Sequence, residues 1–447
     1  MFDGLQSLWW FLVLIGIMIL LHELGHYLVA RLFDVHVEAF SFGFGPRLFG
    51  FKRGETDFRF CAFLLGGYVK MAGEQPGEVA VQDAHAGFDP RSFPAKPRWQ
   101  RLCIIFAGPA VNFVLAIFIL TGLFMFRYER VSDPPNPVVG AILADSPAAK
   151  AGLMEGDRIL EVDGKVNPNF EDIRRKEVVG VGRELAFTVD RGGQRLTMDL
   201  TPVVSTALGG GGSTGWVPQV DVQIAAPCCG VDAIEKAGLK PGDIFITMNG
   251  QPVRTATRLV EIVDKSNGQP IEVVYRRNGQ EGETSITPAW SKDDGKGRWR
   301  IGAALQSPVD IIQLPFGQAA AESWRQNQQN AMMIYKFLQS IIEQRMSPKS
   351  IDGPIGIAVQ SGRAAKQGAA TFLSLMAAVS LNLAVVNLLP IPLLDGGGIL
   401  MLFIEMLMQR DLSMRVKEGI VKVGFAFLMM VIVFVIYNDI SKILPGG

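Results

Sequence analysis

Residues 8–33 read LWWFLVLIGIMILLHELGHYLVARLF. The run is apolar apart from His22, Glu23, His26 and Arg31, and it is long enough to cross a bilayer as one helix. A secretory signal peptide does not fit, because no basic n-region precedes the run and no A-x-A cleavage site follows it. On a helix, His22 and His26 stand at i and i+4 and share a face, so both imidazoles can reach one metal ion. Glu23 sits one residue along, where its carboxylate can reach a metal-bound water. Zinc lowers the pKa of such a water to about 7, and a glutamate can take its proton as it attacks a carbonyl. The chain has only 4 histidines, and two of them are here. Ionisable groups inside a span are costly and point to function. His36 and His85 lie in a polar loop and read as surface residues.

Three further apolar blocks lie outward from this run. Residues 102–126 carry no charge, 369–404 carry only Asp395, and 423–437 extend by a turn if Lys422 snorkels. Four spans are predicted. Composition agrees: 49% of residues are hydrophobic, 19% are charged, and mean hydropathy is +0.25. The 43 basic and 43 acidic side chains cancel, so no nucleic-acid partner is expected. Four cysteines are too few for a disulfide scaffold; Cys61 and Cys103 stand alone, and the adjacent Cys228 and Cys229 are poorly spaced for a relaxed bridge. Basic residues crowd the loop after the first span and recur between the third and fourth, at Arg410, Arg415 and Lys417. These loops are therefore expected in the cytoplasm, with both termini and 127–367 on the outer side.

Two histidines leave a catalytic zinc one protein ligand short. Asp395 is the outstanding candidate, as the lone charge of the third block, in Asn387-Leu388-Leu389-Pro390-Ile391-Pro392-Leu393-Leu394-Asp395-Gly396. The two prolines should break the helix just before it. Broken backbone is tolerated at membrane depth where it lines a cavity, and Gly396-Gly397-Gly398 permits close approach. A helix N-cap is the plainer role for Asp395. Cys103 is a possible soft ligand without a partner motif.

The segment between spans two and three contains a repeat. Residues 146–164 (SPAAKAGLMEGDRILEVDG) align with 232–250 (DAIEKAGLKPGDIFITMNG) at an offset of 86. Asp163-Gly164 and Asn249-Gly250 should turn the chain after strands at Arg158–Val162 and Ile244–Met248. Two copies are expected, near 134–204 and 220–290, joined by a flexible linker around Gly209–Gly212. The AGL-x-x-GD pattern resembles the PDZ domain, which binds peptide ends or strands by adding them to a sheet edge. Val139, Gly140, Ala141 and Ile142 resemble its ligand loop; the second copy has Pro227-Cys228-Cys229-Gly230-Val231 there and departs from the apolar pattern.

Together these motifs resemble the site-2 protease family of intramembrane zinc metalloproteases, in its bacterial regulator-of-sigma-E protease type. That family carries H-E-x-x-H in its first core span, N-x-x-P-x-P-x-L-D-G in its third, and tandem PDZ domains between spans two and three. The resemblance covers essentially the whole chain. It implies one zinc per chain held by His22, His26 and Asp395, with Glu23 as general base. It also implies that Asn387 hydrogen-bonds the substrate backbone or the developing oxyanion. Phe63–Met71, with Gly66, Gly67, Tyr68 and Val69, resembles the family's membrane-associated β-hairpin, which pairs with an extended substrate. Gly108-Pro109-Ala110-Val111-Asn112-Phe113 matches a G-P-x-x-N-F motif that packing and a kink would also explain. Gly353–Ile357 also resembles the subtype.

The expected architecture is a polytopic α-helical membrane protein with four transmembrane helices, two inserted α+β PDZ-like domains and a membrane-associated β-hairpin. Its segments are 1–33, first span; 34–101, cytoplasmic loop with the hairpin; and 102–126, second span. PDZ domains follow at 127–208 and 220–305, around a Gly-rich linker at 209–219. Amphipathic surface helices at 306–367 precede a third span at 368–404, and 405–447 hold a cytoplasmic loop and the fourth span. The expected activity is cleavage of single-span membrane proteins within the bacterial inner membrane, near its cytoplasmic face. The resemblance implies anti-sigma-factor substrates already shortened by another protease, and remnant signal peptides, with the PDZ pair screening by bulk. The rivals are a non-catalytic PDZ receptor for misfolded envelope proteins, which would have no use for Glu23 and Asp395, and a metal transporter, which would show repeats within its spans.

Overall fold

The structure, a computed structural model, describes residues 2–73, 89–126, 128–131, 133, 135–205, 211–228, 230–291, 297–345 and 353–443. Helix α1 (Phe2–Leu32) leads into strands β1 (Val37–Arg53) and β2 (Thr56–Met71), then α2 (Arg98–Phe126). The first repeat supplies β3 (Val139–Ile142), β4 (Arg158–Val162), α3 (Phe170–Val179), β5 (Leu185–Arg191), β6 (Gln194–Leu200) and β7 (Trp216–Pro218). The second supplies β8 (Val222–Pro227), β9 (Ile244–Met248), α4 (Ala256–Lys265), β10 (Ile271–Arg277), β11 (Gln280–Ile286) and β12 (Ala303–Gln306). Helices α5 (Phe316–Ile342), α6 (Pro354–Gln367), α7 (Ala369–Asn387), α8 (Asp395–Met408) and α9 (Met414–Ile443) complete the chain. Two compact units result. A helical unit comprises Met1–Tyr128, Gln313–Lys336 and Ile351–Gly447; a β-rich unit comprises Glu129–Ile312 and Phe337–Ser350.

Among the described residues, four helices of the helical unit are long and apolar enough to cross a membrane: Gly4–Leu32, Arg98–Phe126, Ala369–Asn387 and Arg415–Ser441. The third apolar block, 368–404, is not one helix. Helix α7 stops at Asn387 and α8 starts at Asp395, with Pro390 and Pro392 in the break, because proline removes a backbone donor and clashes with the preceding turn. Helix α1 packs against α2 and α6, and α2 against α7 and α8. A β-carbon on Gly25 would lie 2.6 Å from the Ala107 carbonyl oxygen, so α1 and α2 approach backbone to backbone. Leu14 and Met18 pack with Phe372 and Met376.

Buried charge ties the far ends of these helices. Glu405, 1% exposed, accepts from Lys417 Nζ at 2.7 Å and from the Leu412 N–H at 3.0 Å, with Arg101 Nη2 3.8 Å away. Asp439 of α9 accepts the N–H groups of Gly353, Ile355 and Gly356 and so caps α6.

Strands β1 and β2 bend into a four-segment sheet whose two middle segments run parallel and whose outer pairs run antiparallel. Residues 39–42 pair on one side with 67–70 and on the other with 57–60, which also pair with 49–52. The outer edge of 67–69 carries no further strand among the described residues. His36 donates its backbone N–H to Arg91 and accepts from Ala72; His85 lies outside the described residues.

In the β-rich unit the offset of 86 recurs in geometry. The strands Arg158–Val162 and Ile244–Met248 form at the expected residues. Their turns use left-handed Asp163 and Asn249, each followed by a glycine at positive φ. Arg191 binds buried Asp157 through two nitrogens at 2.8 and 2.7 Å, and Arg277 binds buried Asp243 at 2.7 and 2.6 Å. Burial alone would raise both carboxyls. The arginines and the N–H groups of Met154 and Lys240 outweigh it and hold both below the ordinary aspartate value.

Two expectations are corrected here. Residues 211–219 are not a linker: Gly212–Ser213 pairs with Val203–Val204, β7 pairs with β3, and Trp216 is buried in the first core. Residues 206–210 lie outside the described residues. Nor can Val139–Ile142 accept an added strand along its length. One edge of β3 is taken by β7, and on the other Val139 exchanges backbone hydrogen bonds with Gly156 and Asp157. Beside β3 and β8 the end strands are instead β7 and β12. Cys61 and Cys103 are free thiols, whereas Cys228 is disulfide-bonded; Cys229 lies outside the described residues.

Candidate metal centre and active site

One turn of α1 presents His22 and His26, and the first residue of α8 presents Asp395. His22 Nε2 lies 3.3 Å from His26 Nε2 and 3.2 Å from Asp395 Oδ2, and His26 Nε2 lies 3.5 Å from Asp395 Oδ1. The three ligand atoms all fall within 4.8 Å of one another, and both imidazoles are buried. Asp395 Oδ2 is buried yet accepts no hydrogen bond, although an imidazole nitrogen stands beside it. An orphaned buried carboxylate oxygen is costly unless it has a cation to face. His26 Nδ1 meets the Ile104 carbonyl at 2.8 Å, so that nitrogen carries the proton and Nε2 keeps its lone pair for a metal. Two nitrogens and one carboxylate oxygen suit a zinc ion with an open coordination position. The residues present therefore fit the metal.

The floor of the centre is α2. Positions 104, 108 and 112 share one face of that helix at four-residue spacing. A β-carbon on Gly108 would stand 2.3 Å from His26 Nε2 and 2.8 Å from His22 Cε1, so only glycine leaves room for the rings. Asn112 Nδ2 lies 3.2 Å from His22 Nδ1. Asn387, at the last turn of α7, brings its Nδ2 to 3.4 Å from His22 Nε2.

Glu23 is half-buried beside the two histidines, where its carboxylate accepts the N–H of Val69. The edge of residues 67–69 that carries no strand among the described residues thus runs along the glutamate. A β-carbon on Gly67 would meet the Ser41 carbonyl at 2.8 Å and Glu23 Cγ at 3.0 Å, and one on Gly66 would overlap the Phe44 ring. Tyr68 stacks on Phe44 at 6.1 Å. Of the candidates named from sequence, His22, Glu23, His26, Asn387, Asp395, Gly67 and Val69 come together. Gly66 and Tyr68 form the adjoining strand, and Val139–Ile142 belong to the other unit. Gly108, Asn112 and the Ile104 carbonyl complete the centre without having been singled out for it. The available signal was a glycine and an asparagine one turn apart on a face of an uncharged span.

A model of peptidase family M50 matches residues 10–431. A protein of Neisseria meningitidis that carries a zinc metalloprotease name is 31% identical over 455 residues, covering 97% of this chain and 98% of the relative. The regulator of sigma-E proteases RseP of Salmonella typhimurium and of Escherichia coli are each 30% identical, over 97% of this chain and 98% of their own. Matches of this extent take in the first span, the aspartate-bearing break and everything between. The chain belongs to peptidase family M50, the site-2 protease family of intramembrane zinc metallopeptidases.

Proposed function

We propose that this enzyme cuts single-span membrane proteins within the bilayer, using one zinc ion per chain held by His22, His26 and Asp395. The observation that carries the reading is the Asp395 carboxylate, its Oδ2 orphaned, facing an imidazole nitrogen at each oxygen inside a bundle of apolar helices. Zinc bound there supplies Lewis-acid activation of water and of the scissile carbonyl. Glu23 accepts the proton released as water attacks and returns it to the leaving amine. Asn387 donates to the substrate backbone or to the oxyanion. A transmembrane helix hides its carbonyls, so the substrate must first unwind. The edge of 67–69, which carries no strand among the described residues, offers backbone hydrogen-bonding groups to the unwound segment and aligns it past Glu23.

The first and third loops are assigned to the cytoplasm and the β-rich unit to the outer side of the inner membrane, which puts the active site near the cytoplasmic face. The two repeats are assigned as PDZ domains that screen substrates. Their environments differ. In the second, a cavity of about 70 Å³ lies between α4 and β12, lined by Leu259, Val263, Ile301 and Leu305. In the first, Glu177 accepts hydrogen bonds from Thr214 and from Trp216 Nε1, so a buried polar tie occupies the corresponding place. This difference favours the second copy as the one that takes a peptide. The names of the sigma-E-regulating relatives direct the reading to anti-sigma-factor substrates, alongside remnant signal peptides.

The test is zinc content beside cleavage of a model single-span substrate. Asp395→Ala should lose most of its zinc and its activity. Full zinc occupancy in that variant, measured by atomic spectroscopy, removes Asp395 from the ligand set.

A further inference from the structure

We propose that Asn112 is a positioning residue that fixes the tautomer of His22, its side-chain oxygen holding the Nδ1 proton so that Nε2 is free to bind metal. The inference rests on the assignment of His22 as a zinc ligand. Asn112 is fully buried, and its backbone carbonyl accepts a hydrogen bond from Ser380 at 2.8 Å, which fastens this turn of α2 to α7. Its side chain ends at His22 Nδ1, 3.2 Å away, while its own Oδ1 is buried with no donor.

A neutral imidazole carries one proton. If Nε2 is to offer its lone pair to a metal, Nδ1 must hold that proton and needs an acceptor beside it. His26 already has this arrangement, with the Ile104 carbonyl at its Nδ1. With the amide nitrogen toward His22 Nδ1, the proton is driven to Nε2, the wrong atom for a ligand. A half-turn of the amide exchanges its two ends. It gives the orphaned Oδ1 a donor and leaves both histidines with an oxygen at Nδ1 and a lone pair at Nε2. Asn112 thereby does for His22 what a backbone carbonyl does for His26. Gly108, one turn before it, leaves the space in which the rings sit.

The test uses the full chain in detergent, with zinc affinity measured by chelator competition. Asn112→Leu, similar in size but without an acceptor, should bind zinc about 10- to 100-fold more weakly. Asn112→Asp keeps an acceptor oxygen and should stay within about threefold of the parent. Parental affinity in the leucine variant, or equal losses in both, overturns the proposal. A second measurement needs no variant. With only 4 histidines in the chain, a ¹⁵N-histidine spectrum of the zinc-loaded parent can resolve His22. A proton on Nδ1 supports the assignment, and a bare Nδ1 overturns it even if the leucine variant does not fold.

Discussion

Gly108→Ala adds one methyl group to α2 and should empty the metal centre. The new carbon would stand 2.3 Å from His26 Nε2, 2.7 Å from His26 Cε1 and 2.8 Å from His22 Cε1, where ordinary contact begins at 3.4 Å. The rings must retreat by about 1 Å, whereas metal ligands tolerate about ±0.2 Å. A displacement of that size costs on the order of 100-fold in an aligned site, so zinc affinity and substrate cleavage should both fall by at least about that factor. The fold should survive, because alanine favours a helix over glycine by roughly 0.5–1 kcal/mol. Gly122→Ala is the control: it lies in the same helix with nothing within 4 Å of its would-be β-carbon. Chelator competition and thermal unfolding of both variants separate the two effects. Near-parental zinc affinity in Gly108→Ala would refute the placement of the histidine rings against α2.

Gly67→Ala should retain zinc but cut at least about tenfold more slowly, a modest share of what general-base catalysis contributes, because its β-carbon crowds Glu23 Cγ and the Ser41 carbonyl. Unchanged cleavage kinetics would sever that strand from the catalytic glutamate. Asp157→Asn should loosen β4 and β5 by roughly 2–4 kcal/mol at neutral pH, as expected for breaking one partner of a buried pair, read as faster local hydrogen exchange. Asp157 is held below its ordinary value, so its stabilisation is complete above the unfolded pKa of about 3.9 and is lost as pH falls through the lower folded value. Parent and variant should therefore converge in acid; a difference that persists there would assign the effect to packing.

Features encoded by spacing along one helix or by a fixed offset are legible in the sequence. His22 and His26 share a face through helix geometry alone, and Asp395 stands out as a lone charge beside two prolines that end α7. The 86-residue repeat located both Asp-Gly and Asn-Gly turns. Features made by chains crossing in space are not. Asn112 and Gly108 reach the histidines only because α1 and α2 meet at Gly25 and Ala107. The end strand beside β3 comes from Trp216–Pro218, far along the chain, so a local pattern at Val139–Ile142 named an interior strand instead. A glycine-rich stretch read as a linker for the same reason: Trp216 is buried in a core whose other members lie at 139–200.

The central claim is that Glu23 moves a proton while His22, His26 and Asp395 hold the metal. Glu23→Gln keeps the shape of the side chain and removes its basicity. Measured together on one detergent-purified sample, zinc content should equal that of the parent, and cleavage of a single-span substrate should fall by at least about 10²–10⁴-fold. Near-parental turnover at full zinc occupancy would contradict the account.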